Sequence, residues 1–158
     1  MHYSLRLAGL TVLLVTAACR PTVDVEAEKR AIDALWQELN AALESHDWPR
    51  YQSLWAHVPY LEIIHPAEPD WRTGWKQFEA RYRPLLESSI DLPSAETRRM
   101  HIHIGPSGDV AWAAVEVTTR VGEVDETSWL VGVFQKIDGR WRVVLGLDAP
   151  VGSATSAK

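Results

Sequence analysis

Between Asp24 and Ser45 the apolar residues fall at Ile32, Leu35, Trp36, Leu39 and Leu43. This is the i, i+3, i+4, i+7 stripe of an amphipathic helix. Asp47 then offers a carboxylate to the orphan N–H groups of a short second helix whose first turn tolerates Pro49, and Trp48, Tyr51 and Trp55 follow. Tyr60 to His65 predicts a strand, closed by Pro66 and Pro69 because neither can donate to a ladder. A loop leads to Gly74. Trp75, Phe78, Tyr82 and Leu85 or Leu86 return to helical spacing, with Thr73 as the cap and Pro84 as a kink near the end.

After Pro93 the period changes to two. Met100, Ile102 and Ile104 alternate with Arg99, His101 and His103, which puts the two sets on opposite faces of a sheet. Gly105 to Asp109 reads as a turn, Val110 to Arg120 and Thr127 to Ile137 as strands, and Asp138-Gly139 as a two-residue hairpin turn before Trp141 to Asp148. Helices first and an antiparallel meander second predict an α+β fold, in which the helices cover one face of the sheet. Leu130, Phe134, Trp141, Val143 and Leu145 are assigned to one face of the late hairpin and Val131, Val133 and Val144 to the other. Both faces are therefore apolar, so one of them needs a partner, and a homodimer through the sheet is expected.

The first nineteen residues stand apart. Arg6 precedes an uncharged run from Leu7 to Ala18, then Cys19. That run falls short of the roughly 20 apolar residues of a membrane-spanning helix and has the form of a secretory signal. Leu14-Val15-Thr16-Ala17-Ala18-Cys19 resembles the lipobox of bacterial lipoproteins, with Thr16 in place of the more usual leucine. The resemblance implies cleavage before Cys19 and a lipid on that cysteine. Arg20 is not the aspartate that marks inner-membrane retention in many such proteins, so the expected site is the outer membrane, facing the periplasm. Cys19 is the only cysteine, and no internal disulfide is available. The expected division is a signal at 1–18, a short anchor linker at 19–27, one domain at 28–150 and a disordered tail at 151–158. With 158 residues one domain is enough, and a formal charge of −5 repels phosphate backbones, which argues against a nucleic-acid partner.

The order of elements, with Leu43-Glu44-Ser45-His46-Asp47 closing the first helix, Ile64-His65-Pro66 before Thr73-Gly74, Gly108-Asp109-Val110-Ala111-Trp112, and Asp138-Gly139-Arg140-Trp141-Arg142-Val143, resembles the nuclear transport factor 2 (NTF2)-like superfamily. Within it the chain is most similar to the SnoaL-like and ketosteroid-isomerase-like proteins. The resemblance spans about Glu28 to Asp148. It implies a cone, in which N-terminal helices pack on a strongly bent antiparallel sheet around a pocket, often in a dimer that packs sheet against sheet. Trp outnumbers the other aromatics, 8 against 4 Tyr and 2 Phe. Trp36, Leu39, Trp55, Trp75, Trp112 and Asp148 are the expected pocket residues, and such a lining suits a small, flat, largely apolar molecule. The same Trp residues would equally serve to fill the cone.

His65-Pro66 stands where the resemblance places the Asp-Pro of the isomerases, whose aspartate is the general base. Neutral imidazole, with an unperturbed pKa of about 6.5, can take that role. By the same alignment Glu116, on one strand face with Trp112 and Ala114, would point into the pocket as a proton donor raised by desolvation. Two oxyanion donors of the isomerases are replaced here, at Leu39 and at about Val131. Loss of one such donor typically costs about 10² to 10³ in rate, so steroid isomerisation is not expected. His101 and His103 form a His-x-His pair, but no third ligand is identifiable beyond His65, and no metal or other cofactor is expected. Arg98, Arg99 and Arg120 make a small basic patch suited to neutralising Glu116 across the strands. There is no Gly-rich phosphate loop, no Gly-x-Ser-x-Gly elbow and no cysteine nucleophile once Cys19 carries lipid. Three functions follow: an envelope lipoprotein binding a small apolar molecule, a cofactor-free isomerase, cyclase or dehydratase with His65 as base and Glu116 as acid, and a homodimeric interaction module with a filled cone.

Overall fold

The computed structural model describes residues 22–65, 72–90, 92, 95–121 and 124–150. The signal at 1–18, Cys19, Pro66, Pro69 and the tail at 151–158 lie outside them. The chain order is α1 (Val25–Glu44), α2 (Trp48–Ser53), β1 (Glu62–Ile64), β2 (Arg72–Thr73), α3 (Trp75–Leu86), β3 (Ala95–Ile104), β4 (Val110–Val121), β5 (Val124–Ile137) and β6 (Arg140–Pro150). The strands form one sheet in the order β2-β1-β6-β5-β4-β3. This is the α+β architecture, with one departure from a purely antiparallel sheet. β1 pairs parallel to β6, Glu62 opposite Leu145 and Ile64 opposite Leu147. A parallel pair needs a long connection, which the intervening chain from β1 to β6 supplies. Arg72 and Thr73, expected in a loop, pair antiparallel with β1 as a short edge strand.

Local chemistry explains the helix boundaries. The Asp24 side chain accepts from the Ala27 N–H at 3.0 Å, so α1 starts at Val25, and residues 25–27 of the expected linker are its first turn. Asp47 caps α2 by accepting from the Arg50 N–H at 3.0 Å, with Pro49 in the first turn. Gly74, not Thr73, is the N-cap of α3. Its φ of 86° favours glycine, and a Cβ there would meet the Pro59 carbonyl oxygen at 3.2 Å. Pro84 falls in the last turn, and α3 ends two residues later. Asp138 and Gly139 both take positive φ, 51° and 74°, as a tight two-residue hairpin turn requires.

The sheet's inner face meets the helices. Ala111, Ala113, Val115 and Val117 alternate inward along β4, and Gly132 and Phe134 along β5, packing against Ile32, Leu35, Leu39 and Ala42 of α1. Phe78 of α3 is 1% exposed and lies among Trp55, Tyr82, Trp75, Tyr51 and Trp48, with ring centroids 4.5 to 6.4 Å away. Glu28 pins α1 to the far hairpin. It accepts from Trp141 Nε1 at 2.8 Å and pairs with Lys136, and the Lys136 hydrogen bond holds its carboxyl below the ordinary range against the opposing effect of burial.

A β-bulge changes the expected faces of β6. The register steps from Val133 opposite Leu145 to Phe134 opposite Val143, leaving Val144 as the extra, buried residue. The bulge reverses the alternation, so Leu145 lies with Val133 on the outer face rather than with Val143 on the inner one. The disruption falls where Trp55 bridges Val143, whose N–H donates to the Leu54 carbonyl at 3.0 Å.

Candidate functional site: the cavity between helices and sheet

The inner face of the sheet is floored by two glycines paired across strands, Gly132 on β5 and Gly146 on β6. Their lack of side chains lets aromatic rings approach the backbone. A Cβ on Gly132 would stand 2.9 Å from the Phe134 ring, and one on Gly146 3.2 Å from Ile63 Cδ1 and 3.5 Å from Trp55 Cη2. Beside them a cavity of about 460 Å³ opens between the second half of α1, α2, α3 and the inner face. Trp36, Leu39, Leu43, Tyr51, Trp55, Leu85, Leu130 and Phe134 give it an apolar lining. Trp36 is fixed by donating from Nε1 to Thr97 Oγ1 at 3.0 Å.

Three polar groups of the lining, His65, Tyr82 and Asp148, lie close together, and Asn40, Arg81, Thr119 and Ser128 are among its other polar residues. His65 Nε2 lies 3.1 Å from the Tyr82 hydroxyl, and His65 Nδ1 lies 3.8 Å from Asp148 Oδ2. The latter exceeds hydrogen-bond length, so the two groups are neighbours without a direct bond. When the Tyr82 hydroxyl donates to Nε2, the imidazole proton sits on Nδ1, toward Asp148. Asp148 Oδ1 is buried without a hydrogen-bond partner, as is Trp55 Nε1. Tyr51, also in the lining, is 6% exposed; burial pushes its hydroxyl pKa well above the ordinary value, and the neighbouring Tyr82 adds to the rise. Tyr51 is therefore a neutral phenol at any physiological pH.

His65, Asp148, Trp36, Leu39 and Trp55 thus lie around one cavity. Three expected residues do not. Trp112 is 46% exposed on the outer face, stacked on His103 with ring centroids 4.1 Å apart. Glu116 shares that face and accepts from Arg99 Nε at 2.6 Å, so the sheet separates it from His65. The inward residues of β4 are the odd-numbered ones, and the alignment that placed Glu116 inside was one residue out of phase. A proton-donor role for Glu116 in the cavity is excluded by this geometry. Trp75 packs on α2 and α3, stacking on His57 at 3.5 Å and on Trp48 at 6.1 Å. Of the basic patch, Arg99 neutralises Glu116 and Arg120 pairs with Asp125 at 2.9 Å. His101 and His103 lie on the outer face. Among the described residues no group of three or more His, Cys, Asp or Glu is placed to hold a metal.

Sequence reasoning missed Tyr82 as a partner of His65, because its spacing from Phe78 marks it as helix core. It also missed Asn40, Thr119 and Ser128 in the lining. Thr119 follows from the odd-numbered phase of β4 once that is known.

A family model for the SnoaL-like domain matches residues 32–145. An NTF2-like protein of unknown function from Pseudomonas putida superposes with a TM-score of 0.68 at 15% identity, covering 84% of this chain and 92% of that one. A dehydratase candidate of the NTF2-like family from Streptomyces avermitilis gives 0.66 at 15% identity, covering 81% and 99%. The association domain of the C. elegans kinase CaMKII gives 0.66 at 20% identity, covering 78% and 96%. At such identities these likenesses show the fold alone. No curated protein sequence matches the chain. The helices on an open, mixed sheet, the cavity they enclose and the matched domain agree: the chain belongs to the SnoaL-like family of the NTF2-like fold.

Proposed function

We propose that the protein is a lipid-anchored envelope protein whose cavity binds a small, largely apolar molecule. The observation that carries this is the cavity itself, about 460 Å³, large enough for a small ring compound and lined mainly by aromatic and aliphatic side chains with a few polar groups among them. A cone packed solid by its own Trp residues would have supported the interaction-module reading instead. The lipobox at Cys19 supports an anchor. The cavity residues of α1 begin at Trp36, eleven residues or about 16 Å along the helix from its first residue. The test is the intact mass of the exported protein under native and then denaturing conditions. A native mass above that of the polypeptide and its lipid, lost on unfolding, supports a resident ligand.

A second reading is favoured by the Tyr82–His65–Asp148 arrangement: a cofactor-free isomerase, cyclase or dehydratase in which the substrate displaces the Tyr82 hydroxyl from His65 Nε2, that nitrogen takes the substrate proton, and Asp148 stabilises the resulting imidazolium. Tyr82, bonded to His65, and not Glu116, stands where a proton could be returned. Turnover lost in His65→Gln with binding retained would favour it over simple carriage.

We also propose a homodimer through the outer face of the sheet. Trp112, Val110 and Tyr60 are exposed, and Tyr60 reaches that face by donating from its hydroxyl to Gln135 Oε1 at 2.9 Å. They adjoin Val131, Val133, Leu145 and Leu147, an apolar surface of the kind that marks partner contacts.

A further inference from the structure

Tyr51 is 6% exposed and lines the cavity, yet its hydroxyl closes no hydrogen bond with any of the described residues. Trp55 Nε1 and Asp148 Oδ1 are also unpaired but are sealed off, whereas the Tyr51 oxygen keeps accessible surface. The Trp55 ring N–H lies beside that oxygen without closing a bond of ordinary geometry. An indole N–H can only donate, so it faces a lone pair of the phenol oxygen and leaves the phenol proton to point elsewhere. Tyr51 stays neutral at physiological pH and so always carries that proton. A buried donor without an acceptor is costly, and the open side of this one is the cavity.

We infer that Tyr51 is the polar anchor of the cavity: its hydroxyl donates to a neutral carbonyl oxygen of the bound molecule, whose apolar body fills the space beside Trp36, Leu39 and Phe134. The inference rests on the cavity being a ligand site and adds the class of ligand. A carbonyl satisfies the Tyr51 donor and brings no donor of its own that would need a second partner. A carboxylate is better served by Arg81, which also lines the cavity but is exposed. Drawing it in to the buried Tyr51 would strip its water in return for one neutral donor.

Three probes of one shape decide it: 4-ethylacetophenone, which accepts a hydrogen bond, 1-ethyl-4-isopropylbenzene, which has no polar atom, and 4-ethylbenzoate, which is an anion. Their affinities are measured by calorimetry on the full-length chain and on Tyr51→Phe, which removes only the hydroxyl. Tyr51→Phe should weaken the ketone about threefold to tenfold, the scale of one neutral hydrogen bond, and leave the hydrocarbon within about twofold. The infrared carbonyl stretch of the bound ketone should lie at lower frequency in the native chain than in Tyr51→Phe. An equal effect of Tyr51→Phe on ketone and hydrocarbon, an unchanged carbonyl stretch, or tightest binding of the benzoate overturns the inference while leaving the cavity a ligand site. Failure of all three probes to bind contradicts the ligand site and the inference together. If Tyr51→Phe does not fold, 3-fluorotyrosine at position 51 decides: this stronger donor should lower the carbonyl stretch further, and an unchanged stretch overturns the inference.

Discussion

His65 and Asp148 are brought together by the backbone. Ile64 lies opposite Leu147 in the parallel pairing of β1 with β6, and one residue further on His65 Nδ1 stands 3.8 Å from Asp148 Oδ2. Tyr82 reaches the same ring from α3, so a helix and two strands converge on one imidazole. The His65–Tyr82 bond is partly exposed to the cavity and should contribute modestly. Tyr82→Phe and His65→Ala should each cost about 1 kcal/mol, with a coupling of about 0.5–1.5 kcal/mol in the double mutant measured by urea unfolding. Fully additive effects would show that the pair does not interact.

Glu28 ties the start of α1 to Lys136 and Trp141, and Glu28→Ala should destabilise the fold by about 1–2 kcal/mol in chemical denaturation. Because its folded pKa lies below the ordinary value, its contribution is full above the unfolded carboxyl pKa and is lost as pH falls through the folded one. The native protein should therefore lose more stability than Glu28→Ala on acidification below about pH 4.3. Parallel pH profiles would contradict this.

The two floor glycines should differ. A methyl on Gly132 meets two atoms of the Phe134 ring at 2.9 and 3.1 Å, and Phe134 is fully buried, so Gly132→Ala should cost about 1–3 kcal/mol. A methyl on Gly146 meets the terminal carbon of Ile63 at 3.2 Å, which can turn aside, so Gly146→Ala should cost less than about 1 kcal/mol. Thermal unfolding of the two variants ranks them.

Trp112 is exposed on the outer face and adds nothing to the core, so Trp112→Lys should leave stability within about 0.5 kcal/mol. It should shift sedimentation from dimer toward monomer at micromolar concentration. A native chain that sediments only as monomer would contradict the dimer.

The helices were legible because each carries its own signals: the Ile32 to Leu43 stripe, Asp47 as cap, and the Trp75, Phe78, Tyr82 spacing. The Asp138-Gly139 turn was equally local. The face assignments in the sheet were not, because alternation gives parity but not which parity is inside. Glu116 and Trp112 followed an alignment one residue out of phase with the odd-numbered inner face of β4. Leu145 was displaced by the Val144 bulge, which no turn residue announces. β2 and the parallel β1–β6 pairing depend on contacts distant in sequence, and so does the meeting of His65 with Asp148. Five of the expected cavity and site residues nevertheless surround one space, because β1, β6, α1 and α2 were each correctly placed in order.

The most direct measurement is the intrinsic fluorescence of the purified protein titrated with small ring compounds, alongside Leu39→Phe, which narrows the cavity from α1. Trp36 and Trp55 lie in the lining and report on its contents. The native protein should show a saturable change with at least one compound, and Leu39→Phe should weaken it while the protein stays folded, at a cost of about 1–3 kcal/mol for enlarging a buried side chain. No saturable response from the native protein across the series, or an equal response in Leu39→Phe, would contradict the assignment of this cavity as the ligand site.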